Sequence, residues 1–284
     1  MKEYLVIGRS NSTTRTGSPY AMLKLAAEDE TINVSVWEVP SDRGPVVGQL
    51  VSFLSMKDNL GKKSCNFPDM QLGEMPRPEH PLYGLLPRPV LREAWDATIR
   101  TLIGYCRDER LIRLTLEFAD KLYAPYCKYP AATTVHHAYP GGLANHTFQM
   151  LHMLEGLYPC LPYPIRVERC ILAILFHDYG KVYEYNPQGE PQEDMYLLGH
   201  IYIGAHKLHN ELEACGIDKE EIKRIIHCVL AHHGELEYGS PVRPCTQEAS
   251  IVSYLDNISA KTDGMDGTSG LEYCQAAGTR VVKG

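Results

Sequence analysis

No stretch of the 284 residues approaches the roughly 18 uninterrupted apolar residues that a membrane span needs, and the N-terminal MKEYLVIGRS lacks the apolar run and small-residue cleavage site of a signal peptide. The expectation is a cytoplasmic protein with no membrane partner. Cys-x-x-Cys pairs and zinc-finger spacings are missing too. The nine cysteines (65, 106, 127, 160, 170, 215, 228, 245 and 274) are odd in number and scattered, as free thiols in a reducing compartment would be. Net positive charge is also absent: the formal charge is −7, which argues against coating a duplex by broad phosphate neutralisation but leaves room for a local basic groove. Nor is there an internal repeat.

What is present is a hydrophobic content of 44%, enough for real cores and, at this length, for two domains. Residues 1–75 carry 8 Lys and Arg against 9 Asp and Glu, and residues 90–284 carry 18 against 25, so the acidity sits in the C-terminal part, where carboxylates can serve bound cations.

The first segment reads as strands: YLVIG, PYAMLKLAAED, TINVSVWEV, GQLVSFLSMKDN and KKSCNFPDMQL, separated by turn residues. In TINVSVWEV the period of two places Ile32, Val34, Val36 and Glu38 on one side and Asn33, Ser35, Trp37 and Val39 on the other. About five short strands over residues 1–75 predict an OB-like β-barrel, a fold that often holds single-stranded nucleic acid. There Tyr20, Trp37 and Phe53 are candidates for base stacking, and Arg43, Lys57, Lys62 and Lys63 for phosphate contact; core packing is the competing role for the aromatics. Residues 76–89 lie in a proline-rich run, MPRPEHPLYGLLPRP, that continues neither sheet nor helix and reads as a linker. From residue 90 to 265 the periodicity is helical, so the expected class is multidomain α and β, a small N-terminal β-barrel followed by an all-α bundle. Asp218 is a candidate N-cap and Gly234 a candidate stop for the helix in KEEIKRIIHCVLAHHG. Residues 266–284, rich in Gly and Thr, read as a loose tail.

In ILAILFHDYGKVYEY, residues 171–185, six apolar residues run straight into His177 and Asp178. Adjacent helical residues point about 100° apart, so an isolated His-Asp pair means little. The same signal recurs, however: GGLANHT gives His146, LLGHIYIGA gives His200, VLAHHGE gives His232 and His233, and SYLDNISAK gives Asp256. Apolar helices that each end in an imidazole or a carboxylate suit convergence on one polar pocket, and these are ligand types favoured by Mn, Fe, Zn and similar divalent ions.

Here the chain resembles the HD-domain metallophosphohydrolases, whose signature is a His, a later His-Asp pair and a final Asp, matched by His146, His177-Asp178 and Asp256. His200 and His232-His233 match the members that hold two metals. More closely, HHAYPGGLANHT, FHDYGKV, LLGHIYIGA, AHHGELEYGSPVRP and SYLDNISAK resemble, in order, the blocks of the YhaM-type 3′→5′ exoribonucleases, which join an OB-fold to an HD domain. The resemblance implies two divalent ions, Mn first with Fe, Co or Zn also served, with Asp178 bridging. His146, His177 and Asp256 would complete one site, and His200, His232 and His233 the other. A hydroxide shared by ions about 3.5–4 Å apart would attack the phosphodiester in line, releasing nucleoside 5′-monophosphates from single-stranded RNA or DNA.

Lys181 could then meet a substrate phosphate beside Asp178 or pair with Glu184. His136 and His137, before YPGG, could contact phosphate or support the first ligand helix. Tyr238, Ser240 and Arg243, in the loop after His233, are candidates for substrate contact. Two other functions remain open. One is an HD phosphohydrolase of free nucleotides or cyclic dinucleotides, although the Gly-Tyr-Pro mark of the latter is absent. The other is a non-catalytic single-strand binder that keeps a structural metal. A homo-oligomer is compatible with the resemblance.

Overall fold

A computed structural model describes the chain except residues 15, 41–43, 133–135, 188, 266–270, 275–278 and 283–284. The nucleic-acid candidate Arg43 therefore lies outside the described residues. The chain divides into two units, one of residues 1–88, 132–140 and 261–284, the other of residues 89–131 and 141–260.

In the first unit, β1 (Glu3–Thr13), β2 (Pro19–Ala26), β3 (Thr31–Trp37), β4 (Leu50–Phe53), β5 (Lys57–Asn59), β6 (Lys62–Asn66) and β7 (Met70–Leu72) form one sheet in the order β5-β6-β3-β2-β1-β4-β7. β1 to β3 are an antiparallel meander, β3 pairs parallel with β6, and β4 pairs antiparallel with β1. β4–β5 and β6–β7 are the two interrupted arms of one hairpin, whose tip half (β5–β6) lies at one edge of the sheet and whose base half (β4–β7) lies at the other. Because one hairpin supplies both edges, the sheet curls into an OB-like half-barrel. Its tip is a two-residue turn with left-handed Leu60 (φ 54°) and Gly61 (φ 87°), the type I′ geometry that matches strand twist.

Leu23, Leu25, Val34, Val36 and Val51 fill the concave side. Ile32, Val34 and Val36 are buried as the alternation predicts, but Glu38 is exposed. The strand ends at Trp37, and a left-handed Glu38 (φ 61°) resets the alternation so that Val39 turns inward. Part of the proline-rich run is ordered as well. Pro81 sits in the first turn of a 3₁₀ helix, Pro81–Leu85, with His80 Nδ1 accepting from the Leu82 amide, and Leu82 packs against Leu5 and Leu50. Within the expected loose tail, β8 (Leu271–Cys274) and β9 (Thr279–Val282) pair antiparallel.

The second unit is built from α1 (Arg92–Ile103), α2 (Glu109–Tyr126), α3 (Gly142–Leu157), α4 (Val167–Phe176), α5 (Lys181–Glu184), α6 (Glu193–Leu197), α7 (His200–Ala214), α8 (Lys219–Leu230) and α9 (Gln247–Met265). α4 is its axis. Apart from Arg169 its residues are buried, which is why its sequence is apolar all round rather than striped. α8 has the expected Asp218 cap, whose carboxylate accepts from the amides of Glu220 and Glu221. Two glycines permit close helix approach. A Cβ on Gly204 of α7 would lie 2.4 Å from the Phe176 carbonyl oxygen, and one on Gly180 would lie 2.3 Å from His200 Cα. No helix among the described residues is long and apolar enough to cross a membrane.

Candidate metal centre

The end of α4 explains how a polar pocket survives in an apolar interior. A buried helix terminus must find partners for its last carbonyls. The Ala173 carbonyl accepts from the His177 amide (2.7 Å), Ile174 from His177 Nδ1 (2.8 Å), Leu175 from the Tyr126 hydroxyl (2.6 Å) and Phe176 from the Tyr179 amide (3.2 Å). His177 thus serves its own helix through Nδ1, and this fixes the tautomer that aims the Nε2 lone pair into the pocket. The end of α8 repeats the device: His232 Nδ1 donates to the Val229 carbonyl (2.7 Å), again three residues back.

The remaining ring orientations are set by side chains. Ser259 donates to Gln149 Oε1 (2.8 Å) and so accepts from His146 Nδ1 (2.9 Å). Glu184 takes both the His200 amide (2.6 Å) and His200 Nδ1 (3.2 Å) on one oxygen, capping α7 and orienting the ring together. The distal nitrogens of His146, His177, His200 and His232 face the pocket.

Two groups of potential ligand atoms result, His146 with His177 and Asp256, and His200 with His232 and His233, each with its atoms within 4.8 Å of one another. In the first, His146 Nε2 lies 3.1 Å from both His177 Nε2 and Asp256 Oδ1. Asp178 stands between the groups: Oδ2 is 3.3 Å from His177 Nε2 and 3.6 Å from His146 Nε2, while Oδ1 is 3.6 Å from His200 Nε2. Asp178 Oδ1, His200 Nε2, His232 Nε2 and His233 Nδ1 are buried without a hydrogen-bond partner. An unpaired buried polar atom costs about 1–3 kcal/mol, and four on one pocket wall fit a cation they would share.

The electrostatics agree with that donor set at His232 and His233, whereas at His177 burial is outweighed by the Asp178 carboxylate, which leaves the imidazole raised. Burial, reinforced by the neighbouring rings, holds His232 well below the ordinary imidazole range, and burial also lowers His233, so both are neutral with a lone pair to give. Burial disfavours the charge on Asp178, but the Lys181 ammonium and His177 outweigh it and hold the carboxyl well below its usual range. Asp256 is lowered against its burial by the adjoining His146 imidazole. Burial pushes the Lys181 ammonium down, yet the Asp178 carboxylate leaves it raised.

Lys181 is itself buried, with Nζ 2.7 Å from Asp178 Oδ2, so its ion pair is with Asp178 and not with Glu184. Of the loop candidates, Ser240 is buried and its hydroxyl engages the Leu230 and Val242 carbonyls, so it anchors the end of α8 instead of reaching outward. Arg243 pairs with Glu235 (2.9 Å), and Tyr238 is exposed. His136 and His137 belong to the first unit. His137 is buried with a left-handed backbone (φ 44°), its amide donating to Asp263 Oδ2 (2.6 Å) and its Nδ1 lying 3.1 Å from the Tyr139 hydroxyl.

On the half-barrel, Tyr20 and Trp37 are cross-strand partners with ring centroids 4.7 Å apart, both half-exposed. Phe53 packs edge-on against Tyr4 at the core, a packing role instead of a stacking one. Lys57 and Lys62 are exposed, and Lys63 pairs with Asp58 (2.7 Å). Sequence reasoning did not single out Tyr126, Gln149 or Ser259, and it weighed Glu184 only as a partner for Lys181.

Residues 143–261 match the HD domain family. The chain is 36% identical over 188 residues to the 3′-5′ exoribonuclease YhaM of Bacillus pumilus (strain SAFR-032), covering 63% of this chain and 57% of that protein. It is 31% identical over 261 residues to the 3′-5′ exoribonuclease YhaM of Geobacillus sp. (strain WCH70), covering 88% of this chain and 78% of that one. The chain thus spans little more than half of the first relative's length. No solved structure matches it.

Proposed function

Because the chain belongs to the YhaM 3′-5′ exoribonuclease family, we propose that it is a metal-dependent exonuclease that shortens single-stranded RNA from the 3′ end, releasing nucleoside 5′-monophosphates. The observation that carries this reading is the placement of Asp178, one carboxylate oxygen toward each of two histidine-rich groups. His146, His177 and Asp256 would hold one divalent cation and His200, His232 and His233 a second, with Asp178 shared between them. Bound divalent ions supply Lewis-acid activation of water and neutralise charge on the phosphodiester. Mixed imidazole and carboxylate donors suit Mn, with Fe, Co and Zn served by the same set.

The chain's own residues do the positioning. The pinned tautomers of His146, His177, His200 and His232 keep the donor lone pairs aimed without reorganisation. Lys181 keeps Asp178 ionised, and its buried ammonium adds positive charge where a phosphate would arrive. In residues 1–75, the Tyr20–Trp37 pair offers a stacking platform and Lys57 and Lys62 offer charge for a single strand. That platform, together with the names of the relatives, favours RNA over free nucleotides.

The test is incubation of the purified chain and of Asp178→Ala with Mn²⁺ and 5′-labelled single-stranded RNA, beside DNA, free nucleotides and cyclic dinucleotides. A ladder shortening from the 3′ end, absent in the variant, is expected. Intact RNA alongside consumption of a nucleotide would sink the proposal.

A further inference from the structure

Three helices deliver most of the metal centre: α4 ends at His177-Asp178, α8 runs into His232-His233, and α9 carries Asp256. Toward their opposite ends a second set of charged side chains ties the same three helices together. Arg169 of α4 donates two parallel hydrogen bonds to Glu221 of α8, Nε to Oε1 at 2.8 Å and Nη2 to Oε2 at 2.5 Å. Its third nitrogen, Nη1, reaches Glu248 Oε1 of α9 at 3.2 Å, and the same oxygen accepts the Arg166 amide at 3.1 Å. The three side chains are only 13%, 17% and 10% exposed.

A buried charged triad is weak evidence for stability, because desolvation costs several kcal/mol per ion and an apolar triad of similar volume is often as stable or more so. What the planar guanidinium does provide is direction. A bidentate pair fixes the helices along the axis as well as in distance, which apolar packing does not. Arg169 precedes His177 by eight residues, Glu221 precedes His232 by eleven and Glu248 precedes Asp256 by eight. At 1.5 Å per residue the clamp and the ligands are about 12 Å apart along α4 and α9. A slip at one end arrives undiminished at the other, where ligands must be held within about 0.5 Å.

We propose that Arg169 is a positioning residue, its guanidinium locking the axial register of α4, α8 and α9 so that the ligands they carry assemble into both metal-binding groups. The inference rests on the metal-centre reading above.

The experiment compares the full chain with Arg169→Lys, which cannot form the fork, and with the triple variant Arg169→Met, Glu221→Met, Glu248→Leu. Mn²⁺ affinity and stoichiometry are measured by isothermal titration, and thermal unfolding is followed in chelator. The expected result is a triple variant as stable as the parent without metal but binding Mn²⁺ at least about tenfold more weakly, with Arg169→Lys between the two. A triad that only stabilised the fold would leave Mn²⁺ affinity untouched once apolar packing replaced it, and parental affinity and stoichiometry in the triple variant would overturn the proposal. Should the triple variant not fold, Arg169→Lys decides on the same criterion. A parent that takes up no Mn²⁺ overturns the metal-centre reading and this one together, whereas parental uptake with unchanged variants overturns this one alone.

Discussion

The group formed by His146, His177 and Asp256 is sealed and closely set, whereas that formed by His200, His232 and His233 leaves three pocket-facing ring nitrogens without a partner. In the first, His146 Nε2 lies 3.1 Å from both His177 Nε2 and Asp256 Oδ1, and the imidazoles are 0% exposed. In the second, His200 Nε2, His232 Nε2 and His233 Nδ1 are without hydrogen-bond partners and the His200 side chain is 17% exposed. With the His146 and His177 Nδ1 protons spent on Ser259 and the Ile174 carbonyl, the first group brings two imidazole lone pairs and a carboxylate oxygen together, an arrangement that a cation between them relieves. In the second a cation contributes stability by removing unpaired buried atoms. The first group, closer set and with both imidazoles fully buried, therefore offers the tighter site, and the second a site whose occupancy reports on its surroundings.

The largest effect is expected where the comparison collapses. Asp178→Ala removes the carboxylate that stands between the two groups and should lower metal-dependent turnover at least roughly a thousandfold, about 4 kcal/mol of barrier, with loss of Mn²⁺ uptake, read by initial rates and calorimetry. The comparison is sharpened by His146→Ala beside His233→Ala. His233→Ala should retain one tightly held Mn²⁺ per chain in equilibrium dialysis and His146→Ala should not; retention in both, or in neither, would show the groups to be equivalent.

Glu184→Leu, which removes the partner of His200 Nδ1, should weaken one of the two Mn²⁺ steps by about 10- to 100-fold and leave the other in place. The smallest effect lies on the half-barrel. Trp37→Ala should cost about 1 kcal/mol of single-strand affinity while the Mn²⁺ titration stays unchanged, and an altered titration would break the assignment of separate tasks.

The ligand candidates were legible as a recurring set of imidazoles and carboxylates beside apolar runs; only His177-Asp178 and His232-His233 follow the end of their helix, whereas His146 lies in the first turns of α3, His200 opens α7 and Asp256 sits within α9. The helix signals at Asp218 and the alternation at Ile32, Val34 and Val36 are equally local and visible without a fold. What escaped depends on partners distant in sequence. Ser259 acts on His146 113 residues away, and Tyr126 donates to Leu175 49 residues away. Neither has a local pattern to betray it. Ser240 misled for the same reason: a serine in a turn-rich loop looks available until the Leu230 carbonyl is seen to accept from it. Glu38 was misplaced because a single left-handed residue ends the alternation without any glycine to announce it.

The hairpin that supplies both edges of the half-barrel also sets a timetable. β3 gains its parallel neighbour β6, and β4 its neighbour β7, only once the chain through Leu72 is available. A nascent chain leaving the ribosome can form the β1–β3 meander early, but its outer strands stay unpaired until the hairpin arrives. Such non-local pairing is slow, and exposed strands of an incomplete sheet are prone to associate with other chains. The interval between synthesis of Trp37 and of Leu72 is therefore the aggregation-sensitive window in the formation of this sheet.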